Sequence, residues 1–367
     1  MDFKKLLLPF LIILLLISCN DSGEQKSEIY ENEKDDVRVE LTKINDFLIK
    51  EDSSAYIGRF RSAKYWNDYI VISDMLRPEL FFITKDGRIE KKLKWAKGKG
   101  PGEISRIGNF EIIDGKIYIS DIGNFRWSIF TIDGKFIKSS RPFHDPREKQ
   151  VGKYSENANI MISSGNKIFV SIIEVKFFQE QYKSKSIAVL DTSLKIIKTF
   201  GLMDDIYRRY DIYDATAFLT ADKYNNIYYS QMPTYYISKY DSSGKLIKTF
   251  GKQGSFKQIN EDLPAYLPSE EIREKFLKFS VAGELFALPS GFILQQCTNL
   301  TEEFFNTRSL VDRNNFVKIY NLEGDYIKSD FRIKGFILTT DDEGYIYIYE
   351  NDEPGNRRIG IYKLTVI

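Results

Sequence analysis

Short runs of alternating apolar residues, separated by tight turns, repeat from residue 60 to the end of the chain, and this repeat constrains the fold more than any other feature. One kind of turn links an apolar run to a run of the type Ile-Tyr-Ile-Ser. Each copy contains Gly or Asn, residues that adopt the positive φ of a tight hairpin turn. Copies of this turn occur at 66–69, 114–116, 164–166, 224–226, 290–291 and 342–344.

A second kind of hairpin turn follows the first in every unit except the last. Its copies lie at 85–88, 133–135, 191–194, 242–245 and 322–325. Two hairpin turns in a unit predict a sheet of four antiparallel strands, which we call a, b, c and d in chain order. Because the last unit has no second turn, its sheet is expected to lack the outer strand d.

The segment 37–41 can supply the missing strand, because it alternates Val, Arg, Val, Glu and Leu and precedes the first unit. The sequence therefore predicts an all-β fold over 37–367, a six-bladed β-propeller of four-stranded antiparallel blades closed by an N-terminal strand. The weaker alternatives are a parallel β-helix, whose repeats are shorter and lack paired hairpin turns, and two stacked β-sandwiches.

The N-terminal residues are typical of a bacterial export signal. Two lysines precede the stretch 6–17, which contains no polar side chain and is too short to span a bilayer as a helix. The sequence Leu-Ile-Ser-Cys at 16–19 resembles the lipobox of bacterial lipoproteins, and this resemblance implies lipidation of Cys19. We therefore expect a signal peptide at 1–18 and a lipidated, flexible tether at 19–36. A plain membrane anchor with a chance cysteine is the alternative.

Unit two resembles the NHL-type propeller repeat, which carries Asp after strand b and then Asn and Arg before strand c. Asp121, Asn124 and Arg126 match this pattern, and Asp74 matches its first position in unit one. With the lipobox and the linker Gly-Lys-Gly-Pro-Gly-Glu at 98–103, the chain resembles the six-bladed propeller lipoproteins of Bacteroidetes-type bacteria, of the NHL-like or TolB-like kind. The resemblance implies the fold and an envelope location, and it implies no activity.

The residues that carry the resemblance are expected to hold neighbouring loops together, because each repeat of such an array depends on contacts with its neighbours. The linker is not a phosphate-binding P-loop, because its lysine is followed by Gly and not by Ser or Thr. The predicted inter-blade structural residues are Asp74, Asp121, Asn124, Arg126, Gly98, Gly100, Pro101, Gly102 and Glu103. A ligand site at the Asp, Asn and Arg of unit two is the alternative.

The composition excludes several functional classes. Basic and acidic side chains number 53 and 52, a balance that argues against nucleic-acid binding. One histidine and two cysteines exclude a disulfide scaffold, a Cys-rich zinc site and the H-E-x-x-H motif. No G-x-S-x-G elbow and no D-x-D-x-D-G calcium loop occurs, so no catalytic residue, metal ligand or cofactor is predicted. Calcium held by oxygen atoms in the channel is the alternative.

Long insertions fall in the b–c loops and the d–a linkers, which open on the same face of a propeller. One of them is expected to form a short helix over 269–277, capped by Ser269. Insertions confined to one face are typical of a binding surface. The residues expected on the candidate binding face are Phe125, Arg126, Trp127, Phe177, Phe178, Tyr235, Phe304 and Phe305. The alternative is that each aromatic side chain packs its own loop against the propeller.

We therefore expect a lipid-anchored protein of the bacterial cell envelope, in the outer membrane, that binds a protein, peptide or glycan at its loop-rich face without catalysis. The alternative is an envelope enzyme, a hydrolase, lyase or lactonase that uses channel carboxylates with or without calcium. Convergence of inward-facing acids from several blades at the channel mouth would favour the enzyme.

Overall fold

The computed structural model describes residues 29–30, 37–144, 153–177 and 180–367. Within them, the strands form six sheets, each with four antiparallel strands, and one sheet gains a fifth strand. The predicted signal peptide, most of the predicted tether including Cys19, and Phe178 lie outside the described residues. Over the described ranges, no helix has the length and apolar character needed to cross a membrane.

Two strands precede the blades, β1 at Ile29–Tyr30 and β2 at Val39–Leu48. Blade one contains β3 to β6 at Phe60–Trp66, Tyr69–Asp74, Glu79–Thr84 and Ile89–Lys94. Blade two contains β7 to β10 at Ile107–Ile113, Lys116–Asp121, Arg126–Thr131 and Phe136–Ser140. Blade three contains β11 to β14 at Tyr154–Ser164, Lys167–Glu174, Ile187–Asp191 and Ile196–Phe200.

Blade four contains β15 to β18 at Ala217–Ala221, Ile227–Gln231, Ile237–Tyr240 and Leu246–Phe250. Blade five contains β19 to β22 at Ser280–Ala287, Phe292–Asn299, Asn314–Asn321 and Tyr326–Arg332. Blade six contains β23 to β25 at Phe336–Thr340, Tyr345–Asn351 and Arg358–Val366. The α-helices are α1 at Ile206–Arg209, α2 at Ser269–Lys278 and α3 at Glu302–Thr307. Single 3-10 turns lie at Val175–Phe177, Gln181–Lys183 and Leu310–Asp312.

Strand a of each blade lies at the inner edge of its sheet, and these strands surround the propeller axis. Contacts link β3 to β7, β7 to β11, β11 to β15 and β15 to β19, and β23 contacts β3. Apolar side chains fill the spaces between adjacent blades, as where Ile70 and Phe81 of blade one share a core with Tyr347 of blade six. The predicted six-bladed propeller is confirmed.

The N-terminal closure is also confirmed. Strand β2 pairs antiparallel with β25, from Val39 opposite Val366 to Leu48 opposite Arg358, and it forms the outer strand of blade six. The closing strand is longer than the predicted 37–41, because the pairing continues past a bulge near its middle. A buried ion pair adds to the closure, with Arg357 Nη1 2.7 Å from Glu51 Oε1.

Turn residues have the backbone conformation that their type predicts. Asn67, Gly115 and Asn225 have φ angles of 48°, 68° and 64°, which Gly and Asn adopt more readily than other residues. One c–d turn departs from this rule, because Leu194 has a φ of 68° where the other c–d turns place Gly. Its side chain is buried in the core between blades two and three, so packing offsets the strained backbone.

Two features of the connecting segments differ from expectation. Helix α2 begins at Ser269, but the N-cap position is Pro268, so the Ser269 side chain does not cap the helix. The expected cap is therefore wrong by one residue, a common error at helix ends. In the tether, Ile29–Tyr30 pairs parallel with β18 at the outer edge of blade four, although the whole tether was expected to be flexible.

Candidate functional site

The helices lie in the segments that were expected to open on the loop-rich face. Helices α1 and α2 lie in the linkers that enter blades four and five, and α3 lies in the b–c connection of blade five. The a–b turns on the opposite face are short, as at Asn67-Asp68 and Gly291. The long connections and helices thus share the loop-rich face, and binding residues of proteins are concentrated on such loops.

The structure separates the predicted binding-face residues into exposed and buried ones. Phe125 is exposed, and Phe304 and Phe305 are half-buried. Arg126, Trp127 and Tyr235 are buried and contact the protein itself, a burial that the loop position in the sequence does not reveal. Phe177 ends a 3-10 turn after β12, and its side chain is not among the described ones.

Phe304 and Phe305 form part of what we call the arginine–phenylalanine platform, which also includes Arg273, Arg308 and Arg313. The two rings lie 5.6 Å apart in an edge-to-face arrangement. Arg313 lies 4.1 Å from the centroid of Phe304, and Arg273 and Arg308 lie 5.5 and 5.4 Å from that of Phe305. These cation–π contacts hold three positive charges around two partly exposed rings.

The platform is fixed by helix α3 and by a contact with α2. Thr301 caps α3, because its Oγ1 accepts a hydrogen bond from the Phe304 backbone at 3.0 Å. Arg308 ends the helix in the left-handed conformation, with a φ of 61°. Arg273 of α2 also pairs with Glu302 at the start of α3. The insertion in the d–a linker and the b–c loop of blade five thus support one surface.

Bulges in the inner strands place charged residues around the channel. An extra residue, Arg61, interrupts the pairing of β3, and Gly108 occupies the equivalent place in β7. In β19, Gly283 and Glu284 together face the single residue Gln296 of β20. In β11 the irregular pairing begins after Glu156. Bulges redirect side chains, and they are common at the rims of closed sheets and near functional sites.

We call the resulting group the channel charge cluster. Its members come from the inner strands of blades one, two, three and five and from the residue before β21; they are Arg61, Lys64, Glu111, Glu156, Glu284 and Arg313. Arg61 is close enough to both Glu156 and Glu284 for its charge to lower their pKa values. Charges from blades one, three and five therefore converge.

Within the cluster, Glu156 has well-defined hydrogen-bond partners. Its carboxylate accepts hydrogen bonds from Trp127 Nε1 at 2.9 Å and from Ser120 Oγ at 2.9 and 3.0 Å. Burial raises the pKa of Glu156 to about 7, while these hydrogen bonds and the charge of Arg61 act in the opposite direction. The carboxyl is thus held in a fixed position and can change protonation state near neutral pH.

Glu284 is held differently. Among the described residues, its carboxylate has no hydrogen-bond or ion-pair partner, although the positive charges of Lys64, Arg313 and Arg61 are near enough to favour its ionised form. Burial nevertheless raises the pKa of Glu284 to about 7. The side chain is partly exposed, so its polar atoms remain accessible from the channel.

The two arginines of the cluster also keep free hydrogen-bonding capacity. Arg313 Nε is buried without a hydrogen-bond partner in the described part of the chain, and burial lowers the pKa of this guanidinium to about 10. Arg61 Nε donates to the Gly108 carbonyl oxygen at 3.0 Å, and its other nitrogens have no partner in the described ranges. Lys64, in contrast, pairs with Glu111 at 3.0 Å.

Two further features concern possible metal ligands and the thiol of Cys297. The described residues contain no group of three or more His, Cys, Asp or Glu side chains that could hold a metal ion. Cys297 is fully buried in β20, and burial raises the pKa of its thiol to about 12, which disfavours the nucleophilic thiolate.

The Asp, Asn and Arg of unit two contact the linker that enters blade two. Asp121 accepts hydrogen bonds from the backbone of Ser105 and Arg106, and from Asn124 Nδ2 at 2.6 Å. Asn124 also donates to the Gly98 carbonyl oxygen at 2.7 Å. Arg126 donates to three linker carbonyl groups, those of Lys99, Gly100 and Glu103. These contacts hold the linker onto the blade that it enters.

The linker itself is a tight loop. Glu103 Oε2 accepts a hydrogen bond from the Gly100 backbone at 2.6 Å and lies where a side chain at Gly98 would begin. Gly102 has a φ of 76°, and Pro101 is exposed beside it. In blade one, Asp74 plays the part of Asp121, because it accepts hydrogen bonds from the Gly58 backbone and the Arg77 guanidinium.

The channel charge cluster was not predicted from the sequence. Its signal is a charged residue among the apolar residues of an inner strand, such as Glu284 in Ala-Gly-Glu-Leu-Phe or Lys64 in Ser-Ala-Lys-Tyr-Trp. That pattern is also typical of an ordinary half-exposed strand. Only the ring of blades brings the charges together.

The fold and its closure define the class of protein, a six-bladed β-propeller. Residues 49–142, which include the first two blades, match the DUF5128 family model, described as a 6-bladed beta-propeller. A solved member of the DUF4221 family from Bacteroides vulgatus shares 12% identity and a TM-score of 0.63, over 89% of this chain and 98% of that chain. A Bacteroides fragilis protein described as exported shares 12% identity and a TM-score of 0.56, over 89% and 95%. No curated protein matches the sequence at a significant level.

Proposed function

We propose that the protein is a lipid-anchored propeller of the bacterial cell envelope that binds a protein, peptide or glycan at its loop-rich face and does not act as an enzyme. The observation that carries the proposal is the arginine–phenylalanine platform. Partly exposed aromatic rings and arginines are the side chains that contribute most to binding interfaces. The platform is held by two helices, so it is ordered before a ligand arrives, which lowers the entropy lost on binding.

The envelope location rests on the sequence of the N-terminus. The lipobox-like residues before Cys19 support export and lipidation, and the Bacteroides fragilis neighbour is itself described as an exported protein. We propose attachment to the outer membrane through Cys19 and an NHL-like or TolB-like repeat relationship. Mass spectrometry of the mature protein tests the anchor, because an unlipidated Cys19 would contradict it.

Capture of partners from detergent-solubilised membranes tests the binding face. Phe305→Ala removes one ring of the platform, and we expect it to reduce capture at least several-fold, because aromatic anchors dominate such interfaces. The matched control is Tyr224→Ala, which removes an exposed aromatic ring from an a–b turn on the opposite face. Equal loss of capture in both variants would contradict a role for the loop-rich face.

An envelope enzyme is the second candidate, and one observation favours it. Two carboxyls in the channel, Glu156 and Glu284, have pKa values raised to about 7, as general acids and bases often do. Hydrolysis of aryl glycosides and of a simple lactone, measured with the wild type and with Glu284→Gln, separates the two candidates. If the wild type hydrolyses one of these substrates and Glu284→Gln does not, the enzyme becomes the supported function in place of the binding protein.

The proposal includes no cofactor. We expect the thermal unfolding temperature to be the same in calcium and in a chelator, since no described group of acids forms a cation site. An unfolding temperature that is several degrees higher in calcium would indicate a calcium site and would favour the enzyme, the second candidate.

A further inference from the structure

We propose that the arginine–phenylalanine platform binds an acidic peptide segment of a partner protein, in which an Asp or Glu carboxylate lies next to an apolar side chain. This inference rests on the proposed function and deepens it, because it names one class of ligand for the same face. The contacts that carry it are those of two platform arginines, Arg308 and Arg313, with the rings.

The two arginines lie around one ring. The guanidinium carbons of Arg313 and Arg308 lie 4.1 and 6.0 Å from the centroid of Phe304. That of Arg308 lies 5.4 Å from the centroid of Phe305. That of Arg313 lies 5.7 Å from the centroid of Phe336, at the start of β23. A guanidinium held against rings has less freedom to lose, so the entropy cost of binding a ligand is smaller.

Neither arginine has an acidic side chain within ion-pair distance in the described part of the chain. Arg308 is exposed, and its guanidinium makes no hydrogen bond there. Arg313 Nε is buried without a hydrogen-bond partner, and Glu284 acts on this arginine only through space. Arg273, in contrast, is paired with Glu302. Two guanidinium groups therefore keep donors for a ligand, and parallel N–H groups match the two oxygens of a carboxylate.

The acidic side chains of the same segment limit the charge of the ligand. Glu302 and Glu303 lie in the first turn of α3, and Glu303 is exposed. Asp312, which precedes Arg313, accepts a hydrogen bond from Thr307 Oγ1 at 2.5 Å. Because like charges repel, these carboxylates disfavour a phosphate dianion more than a single carboxylate. An Asp or Glu side chain therefore fits the platform better than a phosphorylated residue.

The rings favour a peptide over a glycan. A sugar ring stacks on an open aromatic face, but guanidinium groups already lie over both platform rings. Phe304 and Phe305 are half-buried, so only part of each ring is exposed. An apolar side chain of a peptide can pack against this partial surface while a neighbouring carboxylate reaches the arginines. Arginine clusters recognise acidic peptide motifs in this way.

Selection from a library of random ten-residue peptides displayed on phage, against the detergent-solubilised full chain, tests the inference. We expect the recovered peptides to carry at least two Asp or Glu residues beside Leu, Phe or Tyr. The tightest binder is then synthesised and measured by fluorescence anisotropy. Replacement of its acids by Asn or Gln should weaken binding at least tenfold, because a hydrogen bond between charged groups contributes about that factor. Recovery of peptides without acidic residues, or of no binding peptide, would overturn the proposal.

Variants assign the binding to the platform. Arg308→Gln should weaken binding of the acidic peptide at least tenfold, and Arg308→Lys, which keeps the charge but not the paired donors, should weaken it less. The matched control is Arg209→Gln, which changes an exposed arginine of α1 and should leave binding unchanged. Because Arg308 is exposed, its variants should unfold at the wild-type temperature. An acidic peptide that binds Arg308→Gln as tightly as wild type binds elsewhere and overturns the proposal.

The inference and the proposed function give distinguishable failures. Neutral peptides whose binding is lost in Phe305→Ala overturn the acidic ligand and leave the proposed function standing. Polygalacturonate that binds wild type but not Phe305→Ala, when no peptide binds, has the same consequence. Acidic peptides that require Arg308, in a protein that captures no partner from membranes, support the acidic ligand and contradict a partner in the membrane.

Discussion

At the scale of single residues, the channel shows how a propeller changes the chemistry of a side chain. Glu156 and Glu284 lie on inner strands, where protein surrounds them on most sides while a part of each side chain stays exposed. Removal of water from most of its surroundings disfavours the ionised form of a carboxyl, and nearby arginines only partly compensate. Both groups are therefore poised to titrate near neutral pH.

This raised pKa predicts a pH dependence of stability. Burial raises the pKa of the native Glu284 carboxyl to about 7, whereas in the unfolded chain the pKa returns to the ordinary glutamate value of 4.5. The native state thus binds more protons between these pH values, and stability falls as the pH rises through this window. For one carboxyl the loss is at most about 3 kcal/mol.

Glu284→Gln should remove that loss. Relative to wild type, we expect the variant to gain free energy of unfolding between pH 5 and pH 8, measured by urea denaturation at each pH. The exposed Glu323→Gln is the control and should run parallel to wild type. Parallel curves for both variants would mean that Glu284 titrates at its ordinary pKa.

Trp127 provides a second prediction at this scale. Trp127→Phe keeps a buried ring but removes the Nε1 donor to Glu156, so the Glu156 pKa should rise further. Loss of one hydrogen bond to a carboxylate should also reduce stability by about 1–3 kcal/mol. Carboxyl-carbon NMR titration measures the pKa, and an unchanged value for Glu284 shows that the effect is local.

At the scale of strands and loops, one device recurs where a linker enters a blade. Arg126 on β9 donates to carbonyl oxygens of the incoming linker, and Lys318 on β21 donates to those of Lys252 and Gln253 at 2.6 and 2.8 Å. Arg77, before β5, donates in the same way to Tyr56. A cation just before, at the start of, or within strand c thus supplies the donors that an irregular linker needs.

Arg126→Lys tests the importance of this device. The planar guanidinium of Arg126 donates to three separate carbonyl groups at once, and the single ammonium group of a lysine cannot reach all three. We therefore expect Arg126→Lys to lower the free energy of unfolding by about 1–3 kcal/mol. Hydrogen exchange of the linker 98–103 should quicken. Arg88→Lys, at an exposed c–d turn, is the control, and equal exchange in both variants would contradict the prediction.

The sequence predicts the blades and their closure, but not the burial of loop residues or the channel charge cluster. Hairpin turns depend on local residues such as Gly115 and Asn225, so the blades could be predicted, and an unequal number of turns was enough to predict the closure. Burial of Trp127 and Tyr235 depends on neighbouring blades and could not be read from their loops. The channel charge cluster needs Arg61 and Glu284, which are far apart in sequence and come within electrostatic range of each other only in the closed ring.

At the scale of the whole molecule, stability depends on one seam. Blade six is completed by β2, so the pairing of β2 with β25 holds the ring closed, helped by the Arg357–Glu51 ion pair and by Lys43 with Glu350 at 2.8 Å. Without this seam both blade six and blade one would expose an unpartnered face or edge.

A disulfide across the seam should stabilise the protein. Thr42 and Lys363 face each other in the β2–β25 register and are both exposed, and paired antiparallel residues have Cα separations that a disulfide can span. The double variant Thr42→Cys with Lys363→Cys is made in a Cys19→Ser background. Its oxidised form should have a free energy of unfolding about 2–5 kcal/mol higher than its reduced form, measured by urea denaturation. Failure of the bond to form under mild oxidation would show that the register is different.

The seam also sets an order of events for the newly made chain. Each of the first five blades pairs strands that are close in sequence, so these sheets can form as soon as their residues leave the ribosome. Strand β2 is made before the first blade but finds β25 only after all the other strands of the propeller have been made. During that interval it remains an open edge, and its charged residues Glu40, Lys43 and Asp46 are suited to keep it from joining another chain.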